Sequence, residues 1–189
     1  ELSLDKIRIK FDIKSLNFYL LTKNPEIKYD NVSIPIKEIK VFIGLKSILG
    51  GNLVINKTLI NTSEIQVDQL KKIVLKTKPS NFTSIILNNF SKGSIKSKIE
   101  LFFTNDFKLK NYQFDGYTKN LSANFLNKVE LKETNFIYSF SPNNGSLNEI
   151  NSLVNGIEIL SGDLDYKKEK NLLINLNFIT DMILDDKKL

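Results

Sequence analysis

The side chains that most often carry chemistry are absent from this chain or poorly placed in it. Its 189 residues include no histidine and no cysteine. That removes the commonest general base and the commonest zinc ligands, and with them any Ser–His or Cys–His nucleophile pair. Without cysteine there are no disulfides, and the redox compartment cannot be read. Asp163 and Asp165, in Gly162-Asp163-Leu164-Asp165, could suggest a cation site, but such an alternation is also the polar face of a strand. Asp185-Asp186 reads as a solvated tail, and Gly50-Gly51 lacks a GxGxxG or GxxxxGK[ST] context and reads as a turn. Asn-x-Ser/Thr triplets at Asn31, Asn56 and Asn81 are expected by chance in a chain this rich in Asn. Aromatic residues interleaved with lysine over 107–117 could stack bases. The alternation puts those rings on an apolar face, so nucleic acid is not an expected partner. The chain reads as no enzyme, with no catalytic residue, no metal site and no cofactor.

Composition narrows the class further. Apolar residues make up 41% and charged residues 25%, ordinary globular values, and 189 residues suit one domain with a core of its own. The net charge of +6 could favour an anionic partner, but the lysines are scattered along alternating strands, as at Lys96 and Lys98, and read as a solvated outer face. No window approaches the roughly 18 apolar residues of a membrane-spanning helix. The chain opens in mid-pattern with Leu2 and Leu4 and stops in Asp185-Asp186-Lys187-Lys188. It is read as one segment, 1–189, of a longer protein.

The elements are mostly strands. Leu2 and Leu4 are even while Ile7, Ile9, Phe11 and Ile13 are odd, which predicts a strand with a bulge near Asp5-Lys6. Leu16, Phe18 and Leu20 follow, with Tyr19 and Leu21 on the other face, and Asn24-Pro25 turns the chain. Ile39, Val41, Ile43 and Leu45 alternate with Lys40, Phe42 and Gly44; Leu53, Ile55 and Leu59 restart the pattern with Lys57 in phase. Pro35 argues for an edge or irregular position. The best helix runs 68–78, with Asp68 as N-cap and Leu70, Ile73, Val74 and Thr77 at helical spacing, stopped by Pro79. A second short helix is predicted within 80–91, with Phe82, Ile86 and Phe90 on one side.

In the second half, Ile95, Ser97, Ile99, Leu101 and Phe103 face one way. The phase slips between Phe107-Leu109 and Tyr112-Phe114, and Phe136, Tyr138 and Phe140 alternate again. A loop is predicted at Ser141–Ser146 and a short helical turn at Ile150–Val154. Ile157 and Ile159 are expected to pair with Leu172, Ile174, Leu176 and Phe178. About ten one-sided strands with one clear helix leave few ways to hide the apolar face. The face is either closed by a second sheet or curled around something else.

The order Asn24-Pro25-x-Ile27-x-Tyr29, then Ile34-Pro35-Ile36-x-x-Ile39-x-Val41, then Leu45-Lys46-Ser47-Ile48-Leu49-Gly50-Gly51, then Leu53-x-Ile55 resembles the AsmA-like family of envelope lipid-transport proteins. Gly93-Ser94-Ile95 through Phe103, and Asn111 through Gly116, fit the same layout, so the resemblance covers most of the chain. It implies a mainly β fold: a strongly curled antiparallel sheet forming an open hydrophobic groove, with one or two short helices. It implies a non-enzymatic role, conducting phospholipids between membranes of the bacterial envelope. The implied partners are phospholipid acyl chains, neighbouring segments of the same parent chain, and a membrane reached through an anchor this stretch lacks. The implied location is the periplasm, with the parent tethered to the inner membrane. The expected groove lining, taken from the apolar phase of each strand, is Ile39, Val41, Ile43, Leu53, Ile55, Ile99, Leu101, Phe103, Phe136, Tyr138 and Phe140. The alternative is a closed β-sandwich, structural or adhesive, without lipid. A small carrier with a closed cavity is the third reading.

Overall fold

The computed structural model describes residues 2–4, 6–13, 17–44, 54–125 and 127–181. Expectations at Asp5, Leu16, Leu45–Gly51, Leu53 and Asp185–Lys188 lie outside the described residues. The chain is mainly β, with about 71% of it in strands of one antiparallel sheet that does not close, and two short helices accompany it. The strands are β1 (Leu2–Ser3), β2 (Ile7–Asp12), β3 (Asn17–Lys23), β4 (Glu26–Tyr29), β5 (Val32–Gly44), β6 (Ile55–Thr62), β7 (Ile65–Gln66), β8 (Phe90–Phe103), β9 (Leu109–Phe125), β10 (Val129–Phe140), β11 (Asn144–Val154), β12 (Ile157–Lys168) and β13 (Leu172–Thr180). The helices are α1 (Val67–Val74) and α2 (Asn81–Asn89). The main path of pairing runs β1-β4-β5-β6-β8-β9-β10-β11-β12-β13, with β2 on β3, β3 on β5, and β7 on β8. Two compact units share this path, one formed by Glu1–Ile65, Lys96–Gly116 and Phe140–Pro142, the other by Gln66–Ile95, Tyr117–Ser139 and Asn143–Leu189.

In the first unit, β5 is the spine. Its first residues pair with β4 and its last with β3, along one edge. The other edge carries β6. Two register shifts interrupt that pairing, one between Ile36 and Glu38 and one between Phe42 and Ile43. Pro35, which has no N–H to donate, sits beside the first shift and passes its carbonyl to Ser63 N–H at 2.9 Å. Leu2 and Ser3 pair with β4, whereas Ile7–Asp12 pair with β3. The even-phase and odd-phase residues thus take different partners, β4 and β3. Asp30 and Asn31 both take positive φ, 47° and 62°, as a tight hairpin between β4 and β5 requires.

The second unit holds both helices. The N-cap of α1 is Gln66, not Asp68, and its side chain makes no capping bond; Asp68 lies in the first turn, where it suits the positive end of the helix dipole. The helix stops at Val74, and Thr77 hydroxyl turns back to the Val74 carbonyl at 2.8 Å. Ser80 caps α2 in a reciprocal box with Thr83: the Thr83 N–H donates to Ser80 Oγ at 3.2 Å, and the Ser80 N–H donates to Thr83 Oγ1 at 2.8 Å. Val67, Val74, Ile86, Leu121, Ala123, Tyr138 and Ile150 are its buried apolar side chains.

Its strands are interrupted in a regular way. Gly93 in β8, Asn120 in β9, Glu133 in β10 and Glu149 in β11 all have positive φ, and β12 shifts register between Ile159 and Ser161. An extra residue moves the alternation by one, so the inward side chains read Thr118, Leu121, Ala123 in β9 and Gly145, Ile150, Ser152 in β11. A bulge leaves N–H groups without ladder partners, and side chains of neighbouring strands accept them. The Asn120 N–H donates to Asn135 Oδ1 at 3.0 Å and the Glu149 N–H to Asp163 Oδ1 at 3.2 Å. The Phe136 N–H donates to Thr118 Oγ1 at 3.2 Å, and the buried hydroxyls of Thr134 and Ser152 meet at 2.7 Å.

Gly93 is required where it stands. Its φ is +108°, and a Cβ there would come within 2.6 Å of Leu121 Cα. Asn155-Gly156 makes the two-residue β11–β12 turn with both φ positive, and the Asn155 amide ties this turn to the one between β9 and β10. It accepts the Glu130 N–H at 2.7 Å and donates to the Lys128 carbonyl at 3.0 Å. Residues 150–154 belong to β11 and form no helical turn, and the expected loop at 141–146 is shorter, since β11 begins at Asn144. Ile157 opposes Val154 and Ile159 opposes Ser152 and Thr180, while Leu172, Ile174, Leu176 and Phe178 oppose Lys168, Tyr166, Leu164 and Gly162. The strands pair as expected, in a different register.

Candidate functional site

In the first unit, register alone assembles an apolar face. Phe18, Leu20 and Thr22 oppose Ile43, Val41 and Ile39. Across β6, Ile39 opposes Ile60, Val41 opposes Thr58 and Ile43 opposes Ile55. Ile60 and Thr58 in turn oppose Ile99 and Leu101 of β8. Directly opposed residues share a face, so these side chains form one apolar surface across β3, β5, β6 and β8, with Phe103 two residues beyond Leu101. Six of the expected lining residues, Ile39, Val41, Ile43, Ile55, Ile99 and Leu101, thus come together.

The surface is not sealed. Ile43 is 7% exposed, but Ile39, Val41, Ile55, Ile60, Ile99, Leu101 and Phe103 are only half-buried. Phe140 is half-buried too, and the Leu53 position lies outside the described residues. In the second unit Phe136 and Tyr138 bring their rings to 6.4 Å, with Tyr138 buried and Phe136 half-buried.

Leu59 does not join this surface. The second register shift adds Asn56 to β6, so Leu59 opposes Lys40 and Glu100, and Ile60 takes the apolar position instead. Phe18, Leu20 and Ile60 are the lining residues that strand-by-strand reading missed. The alternation of Phe18 and Leu20 could have found the first two. Nothing short of the cross-strand register marks Asn56 as the extra residue.

The opposite face of the same strands is charged and aromatic. Tyr19, Phe42, Lys57 and Phe102 lie in one row, each opposing the next. The Lys57 ammonium lies 5.7 Å from the Phe42 ring and 5.2 Å from the Phe102 ring, and Lys40 lies 5.8 Å from the Tyr19 ring. Glu100 takes Lys57 on one oxygen at 2.5 Å and Lys98 on the other at 2.7 Å. Partial burial alone would raise the Glu100 carboxyl, but hydrogen bonds and charge from these two lysines outweigh it and hold the group below its ordinary 4.5. Lysine ammonium groups lie over the rings, and the Glu100 carboxylate pairs with two of the lysines.

Asp163 and Asp165 stand on the polar side of β12, opposite Asn177 and Asn175. Among the described residues no group of acidic, histidine or cysteine side chains could hold a metal ion, and no helix is long and apolar enough to cross a membrane. An open depression of about 480 Å³ in the second unit is lined by residues that include Ser139, Asn144, Asp165, Tyr166, Lys167 and Leu173, and by none of the expected lining residues. Comparison with family models, with curated proteins and with solved structures finds no match.

Proposed function

We propose that this chain is a segment of a hydrophobic β-groove that conducts phospholipids between membranes of the bacterial envelope, without catalysing a reaction. One observation carries the reading. The apolar face of the first unit is continuous over four strands, yet most of its side chains are left half-buried. A sheet that needed only stability would bury such a face fully. An acyl tail supplies what the face lacks, and the face offers the tail a route out of water, where exposure costs about 0.8 kcal/mol per CH₂. Isoleucine, leucine and valine present no fixed polar anchor, so a tail can slide along the face without losing specific bonds. The likeness of residues 24–55 and 93–116 to AsmA-like proteins supports the same role. It also supports a periplasmic location, a parent tethered to the inner membrane, and neighbouring segments of that parent as partners.

Native mass spectrometry of the purified protein tests the proposal and is expected to show co-purifying phospholipid. Photocrosslinking from position 60 or 99 should capture an acyl chain, and Leu101→Asp should abolish capture while the strand-rich circular dichroism spectrum is retained. Undiminished crosslinking in a folded Leu101→Asp protein would reject the assignment. The alternative, a closed structural or adhesive β module, is favoured by the burial of Ile43 and Tyr138. It requires that no lipid be captured at any of these positions.

A further inference from the structure

Two edge strands of the sheet, β2 and β13, fit each other. Among the described residues, β2 pairs on one side only, with β3, and β13 on one side only, with β12. Both carry exposed apolar side chains. Ile9 of β2 is 73% exposed, and Leu172, Ile174, Leu176 and Phe178 of β13 are between 45% and 60% exposed. A free strand edge is a row of unpaired N–H and C=O groups, which proteins ordinarily guard with charge, proline or a covering element. On β13 that guard is absent: from Leu172 to Thr180 it has no charged residue and no proline.

We propose that β2 of one molecule pairs, antiparallel, with β13 of a second copy of this chain, extending the sheet head to tail. The apolar residues of β2 all meet apolar residues of β13 at two registers, two residues apart, and only one of these also sets both cations of β2 against polar residues. With Ile9 opposite Leu176, Ile7 meets Phe178 and Phe11 meets Ile174, so every apolar residue of β2 meets an apolar residue of β13 on the same face. On the other face, Arg8 then opposes Asn177 and Lys10 opposes Asn175. Behind those asparagines, one strand further in, stand Asp163 opposite Asn177 and Asp165 opposite Asn175. Each cation of β2 is thus in line with one carboxylate of β12, within reach of a long side chain. Shifting the register by one residue would set isoleucine against asparagine and lose both matches. Neither edge is complementary to itself in this way: β2 against β2 sets like charges near one another, and β13 against β13 leaves Asp163 and Asp165 unanswered. The contact is therefore heterologous and leaves a free β2 and a free β13 at its ends. The pairing does not depend on whether the apolar face carries lipid, so it stands or falls apart from that role.

Sedimentation equilibrium of the full chain should show reversible, concentration-dependent association. Ile9→Lys on β2 and Leu176→Lys on β13 should each weaken it by about tenfold or more. The decisive measurement mixes the two variants. A head-to-tail contact needs one intact β2 and one intact β13, so the mixture should form a 1:1 dimer that goes no further. Association through β2–β2 or β13–β13 would leave one variant fully self-associating and would overturn the proposal, as would a monomer at every concentration. Because the protein has no cysteine, single substitutions fix the register. Phe11→Cys mixed with Ile174→Cys should form an intermolecular disulfide under a mild oxidant, since opposed Cα atoms lie about 4.5–5.5 Å apart. Phe11→Cys mixed with Leu173→Cys, on the opposite face, should not. Equal yields from the two mixtures would overturn the register. Circular dichroism of each variant should retain the strand-rich spectrum, since the substituted positions are exposed.

Discussion

Glu100 holds two lysines of the first unit at once. Its carboxylate joins Lys57 and Lys98, and Lys57 in turn lies against the Phe42 and Phe102 rings. Because the folded pKa is depressed, the stabilisation is present above pH about 4.5 and is lost as pH falls through the lowered value. Glu100→Gln is expected to cost about 1 kcal/mol near neutral pH. The difference from the unsubstituted protein should shrink below pH about 4, as urea denaturation at several pH values would show. A cost independent of pH would mean that packing, and not charge, is what Glu100 supplies. Gly93 is a second sensitive position. Gly93→Ala forces a side chain into positive φ and against the Leu121 backbone, and should cost about 2 kcal/mol or more. A change within about 0.5 kcal/mol would show that β8 and β9 can separate at this point without loss.

The asparagines of the second unit act on whole elements. Asn135, Asn155 and the carboxylate of Asp163 each accept an N–H that a bulge or turn removes from the strand ladder. An unmet buried N–H costs about 1–3 kcal/mol, and these turns are exposed, so the lower end applies. Asn155→Ala should therefore destabilise the protein by about 1 kcal/mol, with faster amide exchange at Glu130 as its local sign. If exchange quickens everywhere equally, Asn155 does not tie the two turns together. Ser80→Ala should loosen α2 by about 1 kcal/mol, since the capping box loses one bond directly and the Thr83 geometry with it.

For the molecule as a whole, the important fact is that each compact unit is assembled from three separate stretches of chain. The hairpin between β8 and β9, near Asn105-Asp106, lies in the middle stretch of the first unit. A proteolytic nick there leaves both fragments contributing to both units. The nicked protein is expected to elute as one species in gel filtration and to separate only in denaturant. Release of a folded fragment under native conditions would show that one unit holds together without the other half of the chain.

Much of this was legible in the sequence because alternation is a local property. Period-2 runs such as Ile39-Val41-Ile43 and Ile99-Leu101 announce a strand and its apolar side without reference to any partner. The absence of histidine and cysteine was equally plain. The sequence could not say which strand neighbours which, or where an extra residue reverses the alternation. Leu59 and Ile60 look interchangeable until β5 is laid beside β6 and Asn56 is seen to be the residue with no partner. Leu2 and Ile9 look like one strand until they take different neighbours, β4 and β3. Residues 150–154 have a spacing that suits a helical turn, and only the bulge at Glu149 and the pairing with β12 make them a strand. Propensity acts within a few residues along the chain, whereas register is decided by hydrogen bonds and side-chain matches between strands far apart in sequence. Only the folded sheet brings those partners face to face.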